Sequence, residues 1–172
     1  MLINKNSTEP NIDLTRLFAD GIVYINTSQW VFAHAAFSYL YQNSKSKSVT
    51  LLYNMALCHY FAKEYAKAIS VLTAALTQVT APSISSQSNQ NVSNELFIHE
   101  FENNLYQLAL NETTVELSTN IVKLRIRRLM VDLHLVQENW QEVIRLSTLP
   151  EMDKCKNVQE ALIVAKSKVN TL

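Results

Sequence analysis

Between residues 49 and 78 the apolar positions recur at helical spacing on both sides of a two-residue polar corner. Leu52, Met55, Ala56 and His59 precede Lys63-Glu64, and Tyr65, Ala68, Ile69, Leu72 and Ala75 follow it. Spacing of three and four residues puts such positions on one helix face, so the pattern predicts one helix over 49–62 and another over 65–78. A corner this short forces the two helices to pack antiparallel. Ala56 and Ala68 let the axes approach closely, and the larger residues fill the seam around them.

The same pattern lies 35 residues upstream. Leu17, Gly21, Tyr24, Trp30, Ala33 and Phe37 stand at the positions of Leu52, Ala56, His59, Tyr65, Ala68 and Leu72. The only glycine, Gly21, falls in the small slot, which marks close helix packing and not phosphate binding. The expected helices run from Ile12 or Asp13 to 26 and over 29–41. Thr27 or Ser28 is expected to cap the second of them, and Ser48 the one after, because a side-chain oxygen can accept the free amides of a first turn.

After residue 78 the pattern breaks. Ala81-Pro82 ends the helix, and the Ser/Asn/Gln-rich run that follows reads as a mobile loop over 80–93. Helical spacing returns over 94–110 with Leu96, Phe97, Phe101, Leu105 and Leu108, opposite an acidic face of Glu95, Glu100 and Glu102. Thr113-x-x-Glu116 is a capping box, which predicts a helix from there to 137. Val131, His134, Trp140, Val143 and Ile144 match Ala56, His59, Tyr65, Ala68 and Ile69 at an offset of 75. A third, degenerate hairpin is therefore expected over 114–149, with valines in both small slots and its helices further apart. Pro150 stops it, and a last helix from 154 or 157 to about 169 covers the open end.

The order of slots in the second hairpin (Leu52, Met55-Ala56, His59, Ala68, Leu72) resembles a tetratricopeptide repeat. The resemblance implies an all-α fold, a right-handed superhelix of antiparallel helical hairpins in a single domain. Its parts would be a flexible lead-in over 1–11, repeats over 12–43 and 48–79, the loop over 80–93, an extra helix over 94–110, the degenerate repeat over 114–149 and a capping helix over 154–170. In such repeats the first helix of each pair lines a concave groove. The implied groove residues are Thr15, Phe18, Ile22, Ile25 and Asn26 in the first repeat, Thr50, Tyr53, Leu57, Tyr60 and Phe61 in the second, and Arg125, Arg128, Asp132 and Leu135 in the third.

An apolar surface of that extent calls for a cover. One candidate is an amphipathic helix or apolar segment of a protein partner, with acidic residues placed at the two arginines. The other is the chain's own 94–110 helix or its C-terminal helix. The carboxylate clamp by which some tetratricopeptide proteins read chaperone tails needs Lys and Asn where this chain has Phe18, Ile22 and Leu57. Size and apolar groove give a looser likeness to small secretion chaperones. The implied function is an adaptor, scaffold subunit or chaperone, either capturing a partner in the groove or assembling through its outer faces around a self-filled one.

Composition narrows the rest. Lys+Arg and Asp+Glu are both 15, so no bulk charge draws the chain to nucleic acid or anionic membrane. The one basic run, Lys123, Arg125, Arg127 and Arg128, leaves a nucleic-acid binder as a distant rival. The start lacks the apolar run of a signal peptide, no stretch is apolar enough to span a membrane, and a cytoplasmic location is expected. Cys58 and Cys155 form no metal or redox pair by spacing. His34, His59, His99 and His134 show no helical zinc spacing; His59 and His134 share a seam slot and read as partly buried residues with one hydrogen bond. No enzyme activity, cofactor or metal is expected from the linear pattern.

Overall fold

The computed structural model describes residues 12–80 and 93–170. Its helices are α1 (Leu14–Asn26), α2 (Trp30–Asn43), α3 (Val49–Phe61), α4 (Tyr65–Thr80), α5 (Asn94–Glu102), α6 (Glu112–Leu117), α7 (Thr119–Val136), α8 (Trp140–Ser147) and α9 (Lys156–Val169). Short 3-10 turns occupy Leu105–Gln107 and Met152–Lys154, and no strand occurs among the described residues. The expected lead-in over 1–11 and residues 81–92 of the expected mobile loop lie outside the described residues; Thr80 is the last residue of α4 and Ser93 precedes α5.

The helices pack as hairpins in series. α1 pairs with α2, α3 with α4 and α7 with α8; α2 packs on α3, α4 on α7, and α9 on both α8 and α7. α3 sits at the centre, with every residue from Val49 to Cys58 buried. A helix apolar all round must be enclosed all round. In the small slots, Ala33, Ala56 and Ala68 have no exposed surface. Gly21 is tighter still: a Cβ there would lie 2.8 Å from Cε2 of Phe37. Phe37 in turn meets Phe18 edge to face, their ring centres 5.5 Å apart.

The three hairpins share one turn. Ser28, Lys63 and Glu138 stand at matched positions, and all three adopt left-handed backbone, with φ of 59°, 61° and 57°. Around each, the same pair of bonds closes the helix: Ser28 N–H to Ile25 C=O and Gln29 N–H to Tyr24 C=O, Lys63 to Tyr60 and Glu64 to His59, Glu138 to Leu135 and Asn139 to His134. This is the Schellman closure, which satisfies carbonyls orphaned at a helix end. His59 and His134 stand where the closing bond lands, and their rings meet the polar residue that donates it, Glu64 Oε2 at 2.6 Å and Asn139 Nδ2 at 3.4 Å.

Several expected boundaries differ. Thr27 and Ser28 do not cap α2, which starts without a side-chain cap; the Thr27 hydroxyl instead donates to Val23 C=O at 2.7 Å, closing α1. Ser48 does cap α3. The helix expected over 94–110 stops at Glu102. Past it, Asn103 bonds back to His99 C=O, and Arg128 takes the Glu100 and Asn103 carbonyls, so the backbone acceptors that would extend the helix are occupied. The helix expected from 113 to 137 is two. Asn111, not Thr113, caps α6 through the Thr114 amide, and Ser118 is extended and caps α7 through Ile121.

Left-handed backbone costs a residue with a Cβ about 1–2 kcal/mol, and Lys63 is exposed. Lys63→Gly should therefore stabilise the protein by about 1 kcal/mol, raising the melting temperature by about 2–4 °C. Thermal unfolding followed by circular dichroism checks this.

Candidate partner-binding site

The residues expected to line a groove are mostly enclosed. Ile25, Tyr53 and Leu57 are buried, Phe18, Ile22, Tyr60 and Phe61 partly so. Phe61 stacks face to face on Trp30 at 3.5 Å, which places it in the joint between the first two hairpins. Arg125 is largely buried and Arg128 completely.

The irregular stretch between α5 and α6 closes over the part of this surface that carries Asn26, Thr50, Tyr53 and Asn54. An extended backbone crossing an apolar interior carries amide and carbonyl groups that must find partners. Here side chains of α1, α3 and α7 supply them. The buried Asn54 amide donates to Leu110 C=O and its oxygen accepts the Leu110 N–H, both at 2.8 Å. Asn26 accepts the Ala109 N–H at 2.9 Å. The Tyr53 hydroxyl donates to Tyr106 C=O, and the Thr50 hydroxyl donates to the Glu112 carboxylate. Tyr106 and Leu110 are themselves part of the buried core.

The arginines complete the closure. Arg125 holds Glu100 of α5 by two parallel bonds of 2.9 and 2.5 Å, the fork geometry that makes such pairs strong. Arg128 lies over the Tyr106 ring, 4.2 Å from its centre, and donates to Asn157 Oδ1 of α9 at 2.7 Å. Asp132 accepts from the Tyr106 hydroxyl at 2.6 Å and from Asn157 at 2.8 Å. Burial pushes the Asp132 carboxyl above its ordinary range, with these hydrogen bonds opposing the shift. Burial also pushes the Tyr53 and Tyr106 phenols far up, so both stay neutral donors.

An open cleft of about 810 Å3 lies beside this network, between α5, α7 and the turn after α8. Phe97, Phe101 and Leu124 form its apolar floor; Lys123, Arg127 and Lys154 bring positive charge to it. Lys154 is paired with Glu151 at 2.7 Å. The Arg127 Nε is buried with no hydrogen-bond partner among the described residues, and burial lowers the affinity of its guanidinium for the proton. Ile98 stands exposed beside the cleft. The basic run thus does not form one cationic face: Arg125 and Arg128 are spent inside, and Lys123 and Arg127 face the cleft.

Sequence reasoning named Asn26, Thr50 and Asp132 as groove positions but missed Asn54 and Asn157. A signal for Asn54 exists, since it is the one amide in the run LLYNMALC. The two thiols offer no nucleophile. Burial pushes Cys58 up to about 12 and Cys155 to about 11, so neither is a thiolate near neutral pH. No helix among the described residues is long and apolar enough to cross a membrane.

No protein-family model, curated protein or solved structure matches the chain.

Removing the Asn54 side chain strands two buried backbone groups, each at a cost of about 1–3 kcal/mol. Asn54→Ala should lower stability by about 3 kcal/mol, whereas Asn26→Ala, at an exposed position, should cost less than about 1 kcal/mol. Urea denaturation of both variants beside the wild type measures the difference.

Proposed function

We propose that this chain is a tetratricopeptide-like, non-enzymatic protein–protein interaction module that serves in the cytoplasm as a scaffold or assembly subunit. Its inner face is occupied by its own residues 105–112, and partner contact falls on the cleft between α5 and α7. The observation that carries this reading is the two-point pairing of buried Asn54 with Leu110, which makes the covering segment part of the core. The cleft suits an apolar segment carrying acidic residues: aromatic and leucine surface binds the apolar side chains, and Lys123 and Arg127 take the carboxylates. Serial hairpin packing and the turn shared by all three hairpins support the tetratricopeptide-like assignment. Depletion of exposed arginine from the basic run argues against a phosphate-tracking surface.

A second reading is adaptor or chaperone action, in which a partner segment replaces residues 105–112 over Ile25, Tyr53 and Leu57. One observation favours it. The bonds from Asn26, Asn54 and Tyr53 go to backbone groups, which any extended peptide offers.

Affinity capture from the native lysate at moderate salt separates the two. The wild type is compared with a cleft variant, Ile98→Glu with Lys123→Glu, and with Asn26→Ala, which loosens the covering segment. The proposed function predicts a partner held by the wild type and by Asn26→Ala and lost by the cleft variant. A partner indifferent to the cleft changes and enriched by Asn26→Ala would establish replacement of the segment instead.

A further inference from the structure

Two histidines and a carboxylate far apart in sequence converge where the first hairpin meets the turn of the second. His34 lies on α2, His59 near the end of α3, and Glu64 in the turn before α4. Glu64 Oε2 is 2.6 Å from His59 Nδ1 and 3.9 Å from His34 Nε2, and one ligand atom from each residue lies within 4.8 Å of the other two. We infer that His34 Nε2, His59 Nδ1 and Glu64 Oε2 form a binding site for a divalent transition-metal cation of the zinc type, with a fourth position open to solvent.

The shared turn does not account for this set. In the first hairpin the same closure is made with Tyr24 and Gln29, and in the third with His134 and Asn139. Neither a histidine nor a carboxylate is required by the turn, and only the second turn has a further imidazole facing it. The surroundings fit a ligand role. The Ser38 hydroxyl lies 3.3 Å from His34 Nδ1; a proton held there by Ser38 leaves the Nε2 lone pair directed at Glu64, the usual arrangement for a metal-bound imidazole. Lys67 Nζ, 2.6 Å from Oε1, occupies the other carboxylate oxygen and leaves Oε2 to the histidines, while its charge opposes the cation.

The distances require modest movement. Zinc bonds of about 2.0–2.1 Å at tetrahedral angles set ligand atoms about 3.3 Å apart. His59 is the fixed anchor, its side chain 12 % exposed, and His34 at 39 % and Glu64 at 34 % have room to rotate. The cation takes the place of the proton between His59 Nδ1 and Glu64 Oε2, and that proton moves to Nε2 or to solvent. Bound metal would clip α2 to the second hairpin.

The test is calorimetric titration of zinc into the tag-free, metal-stripped full chain, beside His34→Ala and Glu64→Gln and with His99→Ala as control. The expected result is one zinc per chain in the micromolar range, at least tenfold weaker in His34→Ala and Glu64→Gln and unchanged in His99→Ala. Zinc should also raise the melting temperature of the wild type and not that of His34→Ala. Binding no tighter in the wild type than in His34→Ala, or binding lost with His99 instead, would overturn the assignment.

Discussion

A stretch of non-helical backbone inside a helical protein has to find hydrogen-bond partners that a helix would supply for itself. Residues 103–111 meet this requirement with side chains from three other elements, α1, α3 and α7. Asn26 and Asn54 pair with the amides of Ala109 and Leu110, Tyr53 with the Tyr106 carbonyl, and Arg128 with the carbonyls of Glu100 and Asn103. The arrangement stands or falls together. Buried Arg128 draws on the segment for the Asn103 carbonyl and the Tyr106 ring, beside the Glu100 carbonyl of α5 and Asn157 of α9. The segment in turn brings Tyr106 and Leu110 into the core that holds Tyr53 and Leu57. A buried charge left without such partners costs several kcal/mol.

This closure sets what surfaces remain. α3 is buried all round from Val49 to Cys58, with α2, α4 and α1 packed on it; residues 105–112 meet its Thr50, Tyr53 and Asn54. With that side of α3 filled from within, the cleft between α5 and α7 combines an apolar floor with positive charge from Lys123 and Arg127. The arginines that the sequence suggested for a partner's carboxylate do bind one, and it is Glu100 of the same chain.

The hairpins were legible in the sequence because their determinants are local. Small residues at Gly21, Ala33, Ala56 and Ala68 and large ones around them recur at fixed offsets, and helix spacing makes that a packing statement. The need for a cover was legible too, since Tyr53 and Leu57 are apolar yet lie off the hairpin seam. The breaks at Asn103 and Ser118 were not. Each depends on contacts made by distant residues, Arg128 above all, against local spacing that reads as continuous helix. The left-handed turn residues gave no signal, because Ser28, Lys63 and Glu138 replace the glycine or asparagine that usually marks the position. The convergence of His34, His59 and Glu64 was invisible for the same reason as the Asn54–Leu110 pair: it exists only once the hairpins stack.

The central claim is that residues 105–112 belong to the core and do not merely rest on it. Native-state hydrogen exchange at the Leu110 amide tests this most directly. The account predicts exchange only through global unfolding, with a free energy equal to that from denaturation and matching the amides of α3. Exchange of Leu110 orders of magnitude faster than α3, through local release of the segment, would contradict it and leave the inner face open to a partner.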